Sequence, residues 1–249
     1  MTATSARTKG VRAQTRVELA LTLRRGESLL LTLAIPVALL VFFSSVDVLP
    51  APAGVDDPVD FLAPGILALA VLSTAFVGLA IATGFERSYG VLHRLGTTPL
   101  GRPALLVAKT LSVLAVEVVQ AVVLVAVALA LGWRPGGNPA LTVLAALVAT
   151  VAFAGLGLLM AGTLKAEVTL AAANGVYVVL LLLGGMVVPL DRLPGALEAA
   201  ARLLPTAALT EAVSGALSSP VEVPGRAWLV LLAWAVAAPA LAARWFRWE

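Results

Sequence analysis

The chain has 249 residues, of which 60% are hydrophobic and only 12% are charged. Soluble globular domains carry roughly 45–50% apolar and about 25% charged residues, so this composition excludes an ordinary soluble domain. The absence of cysteine excludes disulfides and thiol chemistry, and the single histidine, His93, excludes a cluster of histidine ligands. A formal charge of +3 would suggest nucleic acid in a soluble protein. Membrane topology explains the excess better, and we expect no nucleic-acid partner and no bound metal.

The first 28 residues are polar and basic. A cleavable signal peptide would place its apolar run earlier and end it at a small-residue cleavage site, so none is predicted. The scattered leucines of this segment favour a helix over 11–27 that lies at a membrane interface.

Six apolar stretches follow, each near the roughly 20 residues that cross a bilayer core. The predicted spans are 28–46, 62–84, 104–131, 140–164, 168–188 and 226–243. Segment 189–225 is too mixed for a span, and we expect short re-entrant or interfacial helices there, with Glu198 and Arg202 paired one turn apart. The sequence thus predicts an all-α polytopic membrane protein, with residues 1–249 forming a single transmembrane domain.

Basic residues predict the orientation of these spans. If the N-terminus is cytoplasmic, 13 of the 17 Lys and Arg residues lie on the cytoplasmic side, and eight of the 14 acidic residues lie on the outer side. Cytoplasmic loops of membrane proteins carry an excess of Lys and Arg. We therefore expect both termini, and segment 85–103 between the second and third spans, to be cytoplasmic.

Segment 85–103 has the pattern of a short capped helix rather than of a flexible linker. Its charges suit a helix dipole, with Glu86 at the predicted start and Arg94 at the predicted end. Three side chains at intervals of three residues would share one side of it: Tyr89, Leu92 and Leu95. Gly96 would cap the helix and Pro99 would follow its end. A short helix between two spans is predicted to be a docking element.

A few polar residues inside the spans are candidates for a substrate pathway. Glu117 lies near the middle of the third span, with Gln120 one turn on, and an ionisable group at that depth faces protein or a water-filled path. A polar contact between helices is the alternative for Glu117. Asn174 and Tyr177 on the fifth span are further candidates, although hydrogen bonds between helices are the more usual role for such residues. Three glycines of the fourth span would permit close helix packing: Gly155, Gly157 and Gly162.

Two stretches resemble a known family. The run Glu86-Arg87-x-x-Gly90-x-Leu92-x-Arg94-Leu95-x-x-x-Pro99-Leu100 resembles the cytoplasmic segment of ABC-2 type transporter permeases. The same family's pattern before its last span is matched by Asn174, Gly184-Gly185, Pro189-Leu190, Leu193-Pro194 and Leu203-Leu204-Pro205. The resemblance extends over nearly the whole chain. It is nearest to the bacterial drug-exporter branch, such as daunorubicin-resistance permeases, although nodulation-factor exporters share much of the pattern.

The resemblance implies a permease subunit in a bacterial inner membrane that exports a hydrophobic or amphipathic substrate, such as a drug, lipid or glycolipid, by alternating access. It implies a second permease copy, identical or not, and two copies of a separate ATPase subunit that uses ATP and Mg²⁺. Segment 85–103 would be the coupling helix in a groove of that ATPase. Its implied contact residues are Glu86, Arg87, Tyr89, Gly90, Leu92, Arg94, Leu95 and Pro99.

The chain has no G-x-x-x-x-G-K-[ST] phosphate loop, so we expect it neither to bind nor to hydrolyse ATP, and to bind no cofactor. An intramembrane enzyme is the main alternative. A serine protease would need a histidine at membrane depth, whereas His93 is in a predicted loop. A metal-dependent transferase would need clustered acids on the cytoplasmic side, whereas Asp56, Asp57 and Asp60 are predicted outside. A non-transporting sensor or immunity protein on the same fold stays open.

Overall fold

The computed structural model describes residues 3–24, 26–46, 58–96, 101–186 and 189–247. Within these ranges the regular structure is helical, without a strand. The α-helices are α1 Ala3–Arg24, α2 Gly26–Ser45, α3 Pro58–Val71, α4 Leu79–Ser88, α5 Val91–Gly96, α6 Arg102–Ala130, α7 Pro139–Thr163, α8 Ala166–Leu183, α9 Gly195–Ala201, α10 Pro205–Leu217 and α11 Gly225–Trp245. A π-helical segment, Leu72–Gly78, joins α3 to α4, so that Pro58–Ser88 is one continuous helix.

Five helices of the described ranges are long and apolar enough to cross a membrane: Pro58–Ser88, Pro103–Ala130, Pro139–Thr163, Ala166–Leu183 and Gly225–Trp245. This confirms a multi-pass helical membrane protein. The predicted first span, 28–46, falls on α2, whose described apolar part is the shorter piece Thr32–Ser45. About 20 apolar residues are needed to span a bilayer core. The prediction of six spans is therefore confirmed for five of them.

Helix α7 is the centre of the bundle and packs against α4, α10, α11 and the π-helical segment. Glycines permit this close approach. A Cβ atom on Gly155 would lie 2.5 Å from the backbone nitrogen of Pro239, and one on Gly157 would lie 2.7 Å from the carbonyl oxygen of Phe76. A Cβ on Gly162 would lie 2.5 Å from Phe246 Cδ2. The prediction that these three glycines serve close packing is confirmed.

The two ends of the bundle are held by different contacts. At the end that carries α5, the Arg247 amide donates to the carbonyl of Gly162 at 3.1 Å. At the opposite end, which carries α10, the Asn138 amide donates to the carbonyl of Ala216 at 2.7 Å, and Asn138 Oδ1 caps α7 by accepting from the Ala140 amide. We call these the α5 end and the α10 end. That the α5 end faces the cytoplasm stays a prediction.

The N-terminal helix α1 packs along α6 at the α5 end. The Thr15 hydroxyl reaches the carbonyl of Ala108 at 3.5 Å, and Glu18 is buried. This helix was predicted over 11–27 as an interfacial element. It runs from Ala3 to Arg24, and its buried Glu18 pairs with Lys109 of α6. That this helix lies at a membrane interface stays a prediction.

Segment 189–225 contains a 3-10 turn, Leu190–Arg192, and two short α-helices, α9 and α10, at the α10 end. The predicted pair on α9 is present, with Arg202 Nη2 2.5 Å from Glu198 Oε1. Pro205 opens α10, where its missing amide hydrogen removes no intrahelical bond. Helix α10 is buried along most of its length against α3, α7 and α11. A re-entrant position stays a prediction, since it depends on where the bilayer surface lies.

Candidate functional site

The predicted docking helix does not begin at Glu86. Glu86 belongs to the last turns of α4, which ends at Ser88, and the chain then turns at Gly90 before α5 begins at Val91. Gly90 has a φ of +70°, a left-handed conformation that glycine adopts without a steric penalty. Its amide donates to the carbonyl of Arg87 at 3.0 Å, which satisfies the end of α4. The expected favourable placement of Glu86 at a helix N-terminus was therefore wrong.

Glu86 is instead part of a buried ionic cluster with Lys109 and Glu18. Lys109 Nζ lies 2.5 Å from Glu86 Oε2 and 3.1 Å from Glu18, and the Lys109 side chain is only 1% exposed. Gln14 Nε2 also donates to Glu18 Oε1 at 2.8 Å. A buried charge is tolerated when it is paired and hydrogen-bonded. This cluster, which we call the Lys109 cluster, joins α1, α4 and α6 at the α5 end.

Arg87 also points into the bundle. Its Nη1 donates to the carbonyl of Ala161 at 2.8 Å, in the last turn of α7. The last four carbonyls of a helix lack intrahelical partners, and a cation near them is favoured by the helix dipole. Together, Glu86 and Arg87 attach the end of α4 to α1, α6 and α7.

The chain that follows exposes a small surface at the α5 end. Tyr89 is 74% exposed and Val91 is 41% exposed, whereas Leu92 is completely buried. Leu95 is half-buried and Arg94 is exposed. The three side chains expected on one side of a helix are thus separated, because Tyr89 precedes α5 and Leu92 packs into the core. Pro99 lies outside the described residues.

The second candidate centre is Glu117, which is buried inside α6. Thr150 Oγ1 of α7 lies 2.6 Å from Glu117 Oε2 and also 2.8 Å from the carbonyl of Ala146. Among the described residues, no group donates to Glu117 Oε1, which is also buried. A polar contact between helices, the alternative stated above for Glu117, is therefore present, but it satisfies only one carboxyl oxygen.

Gln120 takes part in a separate set of hydrogen bonds. Its Oε1 accepts from the Thr74 hydroxyl at 2.9 Å, and its Nε2 donates to the carbonyl of Thr32 at 3.0 Å. Thr74 belongs to the π-helical segment, and π-helical turns are frequent at functional sites. Gln120 thereby joins α6 to α2 and to the long helix Pro58–Ser88.

Glu117 and Gln120 both line a pocket of about 290 Å³ between α3, α6, α7 and α10. The pocket's walls are otherwise mostly apolar, with Trp133 near the α10 end. The other two candidate pathway residues are on α8 and do not line it. Asn174 is exposed and its Nδ2 donates to the carbonyl of Leu170 on its own helix, while Tyr177 is half-buried against the core.

Sequence reasoning missed the residues that complete both centres. Lys109 falls within the predicted span 104–131 and was not considered as a site residue, although a lysine seven residues into an apolar helix was a signal that a counter-charge was needed. Glu18 is its partner from 91 positions away. Thr150 gave no comparable signal, because a threonine on an apolar helix usually bonds to its own backbone.

The family model described as ABC-2 type transporter matches residues 10–217, which include both centres and four of the five apolar spans. A search of curated proteins finds no match. Members of this family are membrane components of transporters and generally work with an ATP-binding subunit. Since the match covers well over half of the chain, the chain belongs to the ABC-2 type transporter family, as a multi-pass membrane component rather than an enzyme by itself.

Proposed function

We propose that this chain is the permease subunit of an ATP-driven exporter in a bacterial inner membrane, and that segment 85–103 docks on a separate ATPase subunit. The observation that carries the proposal is the way this segment is attached to the bundle. Tyr89 and Val91 are exposed for contact, while the residues on either side of them are anchored in the protein: Glu86, Arg87 and Leu92.

The mechanism follows from this attachment. A movement of the docked ATPase would push on Tyr89 and α5, and the contacts of Glu86 and Arg87 would pass that displacement to α1, α6 and α7 together. Packed helices move as rigid bodies, because the interfaces between them switch between two discrete arrangements and do not deform continuously. ATP hydrolysis on the partner, which uses Mg²⁺, would thus open the transport path between the spans to one side of the membrane and then to the other. We assign no nucleotide site to this chain, since its sequence has no phosphate-loop motif.

We further propose a hydrophobic or amphipathic substrate, such as a drug, lipid or glycolipid, and a second permease copy that completes the transport path. The apolar walls of the pocket next to Glu117 support the substrate class. Helices α6, α8 and α11 expose much of their apolar surface within one chain, which supports contact with lipid and with a second copy. Asn174 is an exposed polar residue on α8, and we propose that it lies at the contact with the second copy.

The test is co-purification of the tagged chain from its own membranes in a mild detergent. We expect a protein with a phosphate-binding loop to co-purify with the wild type and to be lost from Val91→Asp. Val221→Asp is the matched control, because Val221 is also 41% exposed but lies at the α10 end. Leu92→Asp is unsuitable, since Leu92 is fully buried and its replacement would disturb folding.

Both variants should insert into the membrane and elute as the wild type does by size-exclusion chromatography. Loss of the ATPase from Val91→Asp and its retention by Val221→Asp support docking at the α5 end. If no such ATPase accompanies the wild type, the exporter proposal fails and the sensor or immunity function takes its place. Equal retention by both variants would place the docking surface elsewhere on the chain.

A further inference from the structure

The pocket beside Glu117 has a feature that its apolar walls do not explain. Glu117 and Thr142 both line it, and each has a buried side-chain oxygen, Glu117 Oε1 and Thr142 Oγ1, that bonds to no described protein group. Buried polar atoms without partners are costly, and natural proteins keep few of them. Two in one pocket therefore indicate a ligand with polar groups of its own.

The hydrogen-bond geometry defines what that ligand must offer to Glu117. A threonine hydroxyl has one hydrogen, so Thr150 donates it either to Glu117 Oε2 or to the Ala146 carbonyl, both of which are within reach. In the second arrangement Glu117 is protonated on Oε2 and donates to Thr150. With Thr150 donating to Oε2, Glu117 is either ionised, so that Oε1 accepts, or protonated on Oε1, so that Oε1 donates. A donor is the partner that fits the ionised form, and a positively charged donor favours that form over the protonated one.

The shape of the pocket defines the rest of the ligand. Its volume of about 290 Å³ is near the lower end of the range for small-molecule sites. Thr142 precedes Thr150 by eight residues on α7, which corresponds to about 12 Å along the helix. Apolar side chains of α3 and α10, such as Leu67, Leu209 and Val213, line the pocket as well. A compact apolar molecule with a polar group at its Glu117 end fits the volume and the walls, and Thr142 is too far along α7 to share that group.

We propose that this pocket binds an apolar amine whose ammonium N–H donates to Glu117 Oε1 and whose apolar body lies along α3, α7 and α10. A hydrogen bond to a charged group in a buried site is among the stronger kinds of hydrogen bond. The ammonium N–H is therefore the group that distinguishes this ligand from a cation without an N–H. The inference rests on the proposed function only for the claim that this ligand is a transported substrate. Binding itself requires neither the ATPase nor transport.

The experiment uses the purified permease alone in lipid nanodiscs. The chain has five tryptophans, so a variant that keeps only Trp133 reports on the pocket that this residue lines. The probes are an aryl-brominated phenylbutylamine and its trimethylammonium analogue, which quench tryptophan and share one positive charge. Only the first has N–H groups. Because a hydrogen bond to a charged group contributes about 1.5–3 kcal/mol, we expect the amine to bind at least about ten-fold more tightly.

Glu117→Met should remove this preference, and Glu167→Met, which replaces an exposed acid of α8, should retain it. If Glu117→Met does not fold, Glu117→Gln keeps the shape and the Thr150 contact, and it should lose most of the preference. Equal binding of the two probes to the wild type, or a preference that survives at Glu117→Gln and Glu117→Met, overturns the proposal. Amine binding in this assay, together with a wild type that co-purifies with no ATPase in the test of the proposed function, would leave this inference standing while the exporter proposal fails.

Discussion

Lys109 is the residue whose removal we expect to be most damaging at the α5 end. It is 1% exposed, while the side chains of Glu18 and Glu86 are 10% and 13% exposed. Lys109→Met would leave one buried carboxylate, Glu18, and one partly buried carboxylate, Glu86, without a counter-charge. Since both lie within hydrogen-bond reach of one nitrogen, they are within about 6 Å of each other, and their repulsion at an effective dielectric of 20 is about 3 kcal/mol.

This magnitude agrees with the cost of about 3–5 kcal/mol observed when one partner of a buried ion pair is removed. For a chain of this length, it corresponds to a fall in melting temperature on the order of 10 °C. The measurement is thermal unfolding of the purified protein in nanodiscs. Lys165→Met, at an exposed lysine, is the matched control and should leave the melting temperature unchanged.

A second measurement shows where the damage lies. The natural chain has no cysteine, so Thr15→Cys and Ala108→Cys form the only reactive pair, at positions in contact between α1 and α6. Oxidative cross-linking of this pair should fall in Lys109→Met. Adding Glu18→Gln and Glu86→Gln should restore most of the stability, because neutral replacements remove the repulsion. A melting temperature within about 2 °C of the wild type for Lys109→Met would refute the reasoning.

Two further substitutions test the packing and the turn. Gly155→Ala should lower the free energy of unfolding by about 1–3 kcal/mol in a chemical-denaturation assay, because its Cβ would lie 2.5 Å from the Pro239 nitrogen. Gly175→Ala is the control on a neighbouring span; nothing lies within 4 Å of its Cβ, so it should be neutral or stabilising by up to about 1 kcal/mol. Gly90→Ala should cost about 1–2 kcal/mol, because φ is +70° there, and should weaken stimulation of the partner ATPase by reorienting Tyr89. Unchanged stimulation would show that this turn does not position the docking surface.

Much of the fold could be predicted because it depends on short-range properties of the chain. Apolar runs such as 104–131 and 140–164 predict spans from transfer energetics alone, and the structure has α6 and α7 there. Predictions at element ends were less successful. Glu86 was expected at the start of a helix, yet α4 continues through it. The prediction failed because a sequence pattern does not show that Glu86 pairs with the buried Lys109.

The candidate sites depended on the tertiary structure for the same reason. Glu117 was identified from its position in an apolar run, but its partner Thr150 is 33 positions away, and only folding showed which carboxyl oxygen was left without a donor. Asn174 was considered with Glu117, although the fold turns it to the surface of α8.

By itself, the sequence determined the membrane class, five of the spans and the family, since these follow from composition, hydropathy and local motifs. Only the tertiary structure decided which polar groups meet, because a buried charge must find its partner in space and the distance along the chain does not limit where that partner lies.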